Sequence, residues 1–222
     1  PARVLEILKE AGIVADALGL TVYTVGGFVR DIILKYENLD MDLVIEGDGI
    51  AFANAFAERY GCRVKTHEKF GTAVIVFPDG LKVDVASSRL EYYERPAVLP
   101  TVERGSIQLD LYRRDFTINT LAVRLNPSSF GELLDYYGAQ RDIREKVIRV
   151  LYDYSFVNDP TRVFRAIRFE QRFSFKMSRH THALISRAVK LNFFEKLSGK
   201  RLFNELMLIL KEERPIKAIN RM

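Results

Sequence analysis

The chain has 222 residues, 48% of them hydrophobic, and carries 34 Lys and Arg against 29 Asp and Glu for a net charge of +5. That composition describes a folded chain of one or two compact units and excludes disorder. No stretch approaches the ~20 consecutive apolar residues of a membrane span, and the first residues lack the apolar core of a secretion signal. Cys62 is the single cysteine, so an internal disulfide is excluded, and three His with one Cys do not make the usual four-ligand structural zinc site. No membrane partner is expected, and the cytoplasm is the expected compartment.

Residues 3–19 repeat apolar positions at helical spacing, and Thr21–Val25 is a β-rich run stopped by Gly26-Gly27. A helix is expected from near Phe28, a strand over Leu43–Ile45, a helix over Ile50–Tyr60 ended by Gly61, and a hairpin of Thr72–Phe77 with Leu81–Ala86 around Pro78-Asp79-Gly80. Residues 87–112, charged and without steady period, read as a long mobile loop. Helical character returns over Arg114–Leu125, a strand is possible at Glu132–Tyr136, and beyond about residue 145 the pattern is wholly helical and basic. Asp159-Pro160 signals a helix start with an acidic N-cap. Further helices are expected over Thr181–Val189 and Gly199–Lys211, with an irregular polar end. Residues 158–201 hold eleven Lys or Arg against three acids, a local +8. A polyanion suits such a patch, as does plain solvation of a helical surface.

Four constellations bear on chemistry. Gly26-Gly27 between a strand and a helix lets backbone approach a phosphate, with Arg30 as a charged fork; an ordinary βα turn has the same look. Asp40 and Asp42 are two apart, so on a strand both carboxylates share a face with Cα atoms roughly 6.5 Å apart, suited to Mg²⁺ or to a solvated edge. Asp84 repeats the pattern on the hairpin, either as a third carboxylate facing the first two or as a chance acid of an alternating strand. Arg113-Arg114-Asp115-Phe116-Thr117-Ile118-Asn119 gathers groups suited to a triphosphate and a ribose, or to a capped amphipathic helix. At 100° per residue Arg162, Arg165, Arg168 and Arg172 form one stripe opposite Val163, Phe164 and Ile167, a like-charge face that an anionic ligand would offset.

Taken in order, Gly26-Gly-Phe-Val-Arg-Asp31, Leu39-Asp-Met-Asp-Leu43, Arg113-Arg-Asp-Phe-Thr-Ile-Asn119, Asp135-Tyr-Tyr-Gly-Ala-Gln-Arg-Asp142, Asp159-Pro-Thr-Arg162 and Arg201-Leu-Phe-Asn-Glu-Leu206 resemble the class II tRNA nucleotidyltransferase and poly(A) polymerase family, the CCA-adding enzymes. The resemblance implies an α/β catalytic head over residues 1–145, of the DNA polymerase beta-like nucleotidyltransferase fold with a mixed sheet and flanking helices, and an all-helical neck over 146–222. It implies template-independent addition of CMP and AMP from CTP and ATP to a tRNA 3′ end, by attack of the 3′-hydroxyl on the α-phosphate. Relatives that add only A, only CC or a poly(A) tail share the motifs, and a non-catalytic RNA-binding module of the same fold is the rival of another class. Asp40 and Asp42 would be catalytic and hold Mg²⁺; Gly26, Gly27, Arg30 and Arg114 would meet the nucleotide. Asp115 would read the ribose, Asp159 and Arg162 would template the base, and Arg165 and Arg168 would add contacts. Arg201 and Glu205 would brace that helix. Asn158 stands where the family often has an acid. The family's helical body and tail domains lie beyond this sequence, on the same or another chain.

Overall fold

The computed structural model describes residues 2–95, 97–98 and 100–222. It divides into two compact units, one of Pro1–Leu90, Val102–Arg114 and Asn119–Ala139, the other of Glu91–Thr101, Asp115–Ile118 and Gln140–Met222.

The first unit opens on α1 (Ala2–Ala17), whose buried Val4, Ile7, Leu8, Ala11, Val14 and Ala15 recur at helical spacing. β1 (Thr21–Val25) passes through Gly26 into α2 (Gly27–Leu34), and β2 (Met41–Glu46) precedes α3 (Gly49–Tyr60). Asp48 starts α3 by accepting the N–H groups of Ile50 and Ala51, and Gly61 ends it in the left-handed region at φ 65°. Then come β3 (Arg63–His67), β4 (Thr72–Val76), β5 (Lys82–Ser87), β6 (Arg89–Tyr92) and β7 (Thr101–Arg104), the last two each divided between the two units, α4 (Ile107–Tyr112), β8 (Ala122–Arg124) and β9 (Leu133–Leu134). The main sheet runs β3-β4-β5-β2-β1-β8-β9, with β2 and β5 parallel and the other neighbours antiparallel. This is the expected mixed sheet with flanking helices.

Alternation along the strands assigns the faces. Tyr23, Val25 and Val44 pack with Ile107 and Leu111 of α4. Met41, Leu43 and Ile45 lie on the opposite face, where α1 and α3 cover the sheet. Burying both faces explains why β1 reads as a nearly continuous apolar run.

The second unit contains most of α5 (Ala139–Glu145), β10 (Val147–Ile148), α6 (Ser155–Asn158), α7 (Thr161–Phe173), β11 (Lys176–Met177), α8 (Arg179–Lys190), α9 (Gly199–Leu210) and α10 (Pro215–Arg221). Helix α7 is its centre: Val163, Phe164, Ala166, Ile167, Phe169 and Phe173 are buried, and Phe169 meets Phe116 edge-on with ring centroids 6.0 Å apart. Both α9 and α10 pack on α7.

Several expectations fail here. Residues 87–112 are not one loop: they hold β6, β7 and α4, while Pro96 and Leu99 lie outside the described residues. Arg114–Leu125 is not a helix but a 3-10 turn at Thr117–Asn119 followed by β8. Four of the region's polar residues, Asp115, Thr117, Asn119 and Thr120, are at most 7% exposed, which the polar face of a surface helix would not be. The second half is not wholly helical, since β10 and β11 pair in parallel, and its end is the helix α10.

Candidate active site

The antiparallel register of β1 and β2, with Thr24 opposite Leu43, brings the end of β1 beside the start of β2. The glycine turn and the acidic pair therefore share one end of the sheet. Asp42 stands directly across from Asp84 on parallel β5, so both carboxylates project from the face that carries α4, and Asp40 precedes the strand in an exposed position. Burial pushes the Asp42 carboxyl above its ordinary range; Arg114 opposes that rise, and Asp84 and Asp40 add to it. Asp84 is raised too, by burial and then by Asp40. The facing Asp42 and Asp84, with Asp40 near both, form a concentration of negative charge that favours a cation.

The donors fit Mg²⁺, a hard ion that binds oxygen and commonly takes one or two protein carboxylates, filling its other positions with water and substrate phosphates. Among the described residues no group of three or more His, Cys, Asp or Glu is placed to hold a metal ion, so the protein would supply at most two carboxylates. An open carboxylate set is what an ion shared with a phosphate requires.

Gly26 adopts φ 69° and ψ −127°, a region that side chains avoid. A Cβ there would also lie 2.5 Å from Nη1 of Arg114. The positive φ calls for glycine, and the absent Cβ leaves room for the Arg114 guanidinium, which would otherwise have to shift. Gly26→Ala is expected to cost about 1 to 3 kcal/mol in stability and to displace Arg114, raising the KM for nucleoside triphosphate more than it lowers the melting temperature accounts for; thermal unfolding and steady-state kinetics together check this.

Arg114 is itself held. Its Nη2 donates to Oδ2 of Asp110 at 3.2 Å, while Arg113 donates to Oδ1 through Nε at 3.0 Å and Nη2 at 2.7 Å. Asp110 is fully buried, and the N–H of Arg89 completes its shell at 3.2 Å. Arg113 and Arg114 do not lie in a helix start as the motif suggested: Arg113 closes α4. Arg30, only 3% exposed, donates to Asp31 at 2.8 Å and makes a short hydrogen bond to Asn119 Oδ1. These two bonds tie the start of α2 to Asn119.

In the second unit only the Arg172 end of the arginine stripe of α7 is exposed. Arg162 and Arg168 are 5% and 6% exposed. Arg165 grips Oδ2 of Asp115 with Nε at 2.8 Å and Nη2 at 2.7 Å. Arg168 and Arg172 share Glu212, and burial raises the Glu205 carboxyl despite Arg165 and Arg168 nearby. Carboxylates of the same unit, and not only a ligand, offset the like charges, which corrects the reading from helical spacing alone. Helix α7 begins at Thr161, and Asp159 accepts its N–H at 3.0 Å. Arg201 donates to that same oxygen, Oδ1 of Asp159, at 2.8 Å, so Arg201 does brace the Asp159 segment. Arg162 donates to Ser155 Oγ at 2.8 Å and Tyr152 Oη at 3.3 Å.

Residues 22–149 match the family model described as the poly A polymerase head domain. The chain belongs to the poly A polymerase head domain family. An A-adding tRNA nucleotidyltransferase of Geobacter sulfurreducens is 66% identical over all 222 residues of this chain and 25% of its own length. Another protein of that name, from Aquifex aeolicus, is 46% identical over 88% of this chain and 24% of its own length. The chain thus spans about a quarter of the length of these curated relatives. A solved structure described as a CCA-adding enzyme in an apo form matches all of this chain and 52% of that one, with 48% identity and a TM-score of 0.96.

Within the head-domain match lie Gly26, Gly27, Arg30, Asp40, Asp42, Arg114 and Asp115, while Asp159, Arg162, Arg165 and Arg168 lie after it. Asp110 went unnoticed in the sequence. An acid three and four residues before two arginines is the signal that would have found it, because those positions share one helix face.

Proposed function

We propose that this chain carries the nucleotide-transfer part of an enzyme that adds ribonucleotides to the 3′ end of tRNA, with AMP from ATP as the addition it is built for. The observation that carries the reading is the facing pair Asp42 and Asp84, with Asp40 beside it and Arg114 seated on the Gly26 turn. A triphosphate needs this combination of cation-holding carboxylates and phosphate-binding donors within one end of a sheet. The preference for ATP rests on the names of the 66% and 46% identical relatives. The same motifs, and the CCA-adding description of the solved neighbour, support a second reading in which CTP is used before ATP.

Asp40 and Asp42 would hold Mg²⁺, with Asp84 opposite. When bound, the ion supplies charge neutralisation at the phosphates and lowers the pKa of the attacking 3′-hydroxyl. Arg114 and the backbone N–H groups of the Gly26-Gly27 turn would bind the triphosphate oxygens, with Arg30 fixing that turn. Asp115, oriented by Arg165, would accept from a ribose hydroxyl. Asp159 and Arg162 would meet the Watson–Crick edge of the base as acceptor and donors, while Arg165 and Arg168 hold α7's charge pattern. Two in-register carboxylates that repel each other argue against a purely RNA-binding role, which would gain nothing from them. No helix of the described residues is long and apolar enough to cross a membrane, and a tRNA substrate agrees with the cytoplasmic expectation.

The test is incubation with tRNAs ending before C74, after C75 and complete, each with labelled CTP or ATP. Label from ATP on the C75 form, with none from CTP on any, is the expected result. CTP incorporation on the shortest tRNA followed by ATP would select the second reading, and no incorporation at all would remove both.

A further inference from the structure

Part of the main sheet is open on the face that carries Asp42 and Asp84. Strand pairing continues their row outward: Asp84 stands opposite Val74 on β4, and Val74 opposite Lys65 on the edge strand β3. Two residues nearer the end of the sheet that bears the glycine turn, Lys82 of β5 stands opposite Val76, and Val76 opposite Arg63. Directly paired residues share a face, so Arg63, Lys65 and Lys82 all stand on the face of the two carboxylates. The opposite face of these strands is covered by α3, with Ala73, Ile75, Val83 and Val85 buried, whereas Arg63, Lys65, Lys82 and Asp84 are exposed. Lys82 is near enough to Asp84 to draw its carboxyl down, though burial and Asp40 outweigh it. Glu68, the acid that follows β3, lies at the far end of that strand. Charges on an edge strand also deter the addition of another strand, but Lys82 belongs to the interior strand β5, which has no edge to protect.

We propose that Arg63, Lys65 and Lys82 form the track for the phosphates of the RNA strand whose 3′-hydroxyl is extended. The inference rests on the reading of the chain as part of a nucleotide-adding enzyme and places its second substrate. In the strand order β3-β4-β5-β2-β1, the Gly26 turn with Arg114 flanks the carboxylates on the β1 side, and the cations flank them on the β5 side. In phosphoryl transfer the bond from the 3′-oxygen to the α-phosphorus forms as the bond to pyrophosphate breaks, with the two oxygens roughly in line. A triphosphate held on the β1 side sends its pyrophosphate toward that flank, so the attacking hydroxyl comes from the other. An RNA end arriving there meets the negative charge of Asp40, Asp42 and Asp84, and cations set just before them offset the repulsion and draw the strand in. Lys65 lies three strand spacings, about 14 Å, from Asp42, which is a few nucleotides of a stacked strand at ~3.4 Å each.

The experiment measures equilibrium binding of a tRNA ending at C75, and the kinetics of its extension by ATP, over a range of salt. It compares the full-length protein with Arg63→Ala, Lys65→Ala and the double variant. Lys9→Ala, which removes an exposed cation of α1 over the opposite face, is the control. Melting temperatures should not move, because exposed charges contribute little to stability. Each single variant should lose about three- to tenfold in tRNA affinity at low salt, and the double variant should flatten the slope of log affinity against log salt by about 1.4, at ~0.7 for each single-stranded phosphate contact. The KM for ATP should be unchanged, and Lys9→Ala should bind tRNA as the unaltered protein does. Unchanged affinity and slope in the double variant overturn the proposal, as does an equal loss in Lys9→Ala, which would mark net charge and not place. A lowered melting temperature with tRNA affinity kept would show that the face packs against protein, and overturns it as well. Absence of nucleotide transfer by the unaltered protein with every tRNA overturns the functional reading itself; because binding is measured without catalysis, the two failures are told apart.

Discussion

Replacing Asp42 by Ala or Asn is expected to cut nucleotide transfer by at least a thousandfold while leaving the melting temperature level or slightly higher. The loss follows from its place opposite Asp84 and beside Asp40: an anchor for an ion at the reacting phosphate contributes several kcal/mol of transition-state stabilisation, and each ~1.4 kcal/mol is tenfold in rate. The stability follows from the direction of its pKa. A carboxyl raised by folding opposes folding once it ionises; that cost is absent below the ordinary carboxylate range and sets in as pH rises through it. At neutral pH the variant is freed of the cost. Mg²⁺ should raise the melting temperature of the unaltered protein, because binding to the folded state adds to stability, and should do so less in Asp42→Asn. Asp40→Ala should share the kinetic loss without the gain in stability, since Asp40 is exposed. Retention of more than a tenth of the transfer rate in either variant would remove the metal assignment.

How far these positions could be read beforehand depended on how local their signals are. The Gly26 turn, the end of α3 at Gly61 and the hairpin around Pro78-Asp79-Gly80 depend on residues that act on their own backbone, and all three were legible. The place of Asp42 on β2 was legible because strand alternation is local as well, whereas Asp40 stands before the strand, where alternation does not apply. The order of strands, which sets Asp84 against Asp42, is decided by long-range pairing and could only be suspected. Residues 87–125 misled for a different reason. Their charges suggested solvent, yet Asp110 and Asp115 are buried against arginines, and pattern alone does not separate a solvated acid from a paired one. The stripe on α7 shows the same ambiguity in reverse: spacing located the arginines on one face, but their partners Asp115 and Glu212 come from distant parts of the chain. Helix α10, of seven residues, is short and polar, and its hold on α7 through Arg221 and Glu170 leaves little local trace.

Asp110→Asn is expected to be the most damaging single-atom change in the first unit outside the carboxylates that would hold Mg²⁺. Burial alone would raise this carboxyl, but Arg114 and then Arg113 outweigh it and hold the pKa below the ordinary range. A depressed carboxyl adds stability above its unfolded pKa and loses it as pH falls through the folded one, so at neutral pH the contribution is complete. Removing the charge leaves two guanidiniums and the Arg89 N–H around a group that cannot satisfy them all. Breaking a buried pair costs about 3 to 5 kcal/mol, and the partial exposure of both arginines places this case near the lower figure, a fall of roughly 6 to 12 °C in melting temperature. The gap between the two proteins should narrow in acid. Function is hit separately, because Asp110 is the group that holds Arg114 beside the Gly26 turn. The KM for ATP should rise about tenfold at a temperature where both proteins are folded, with a smaller change in kcat, and Asp110→Glu should restore part of both. If the Asn variant melts with the unaltered protein, the buried pair is not what stabilises this end of the sheet; if it melts early but binds ATP normally when folded, Arg114 is placed by the Gly26 turn alone.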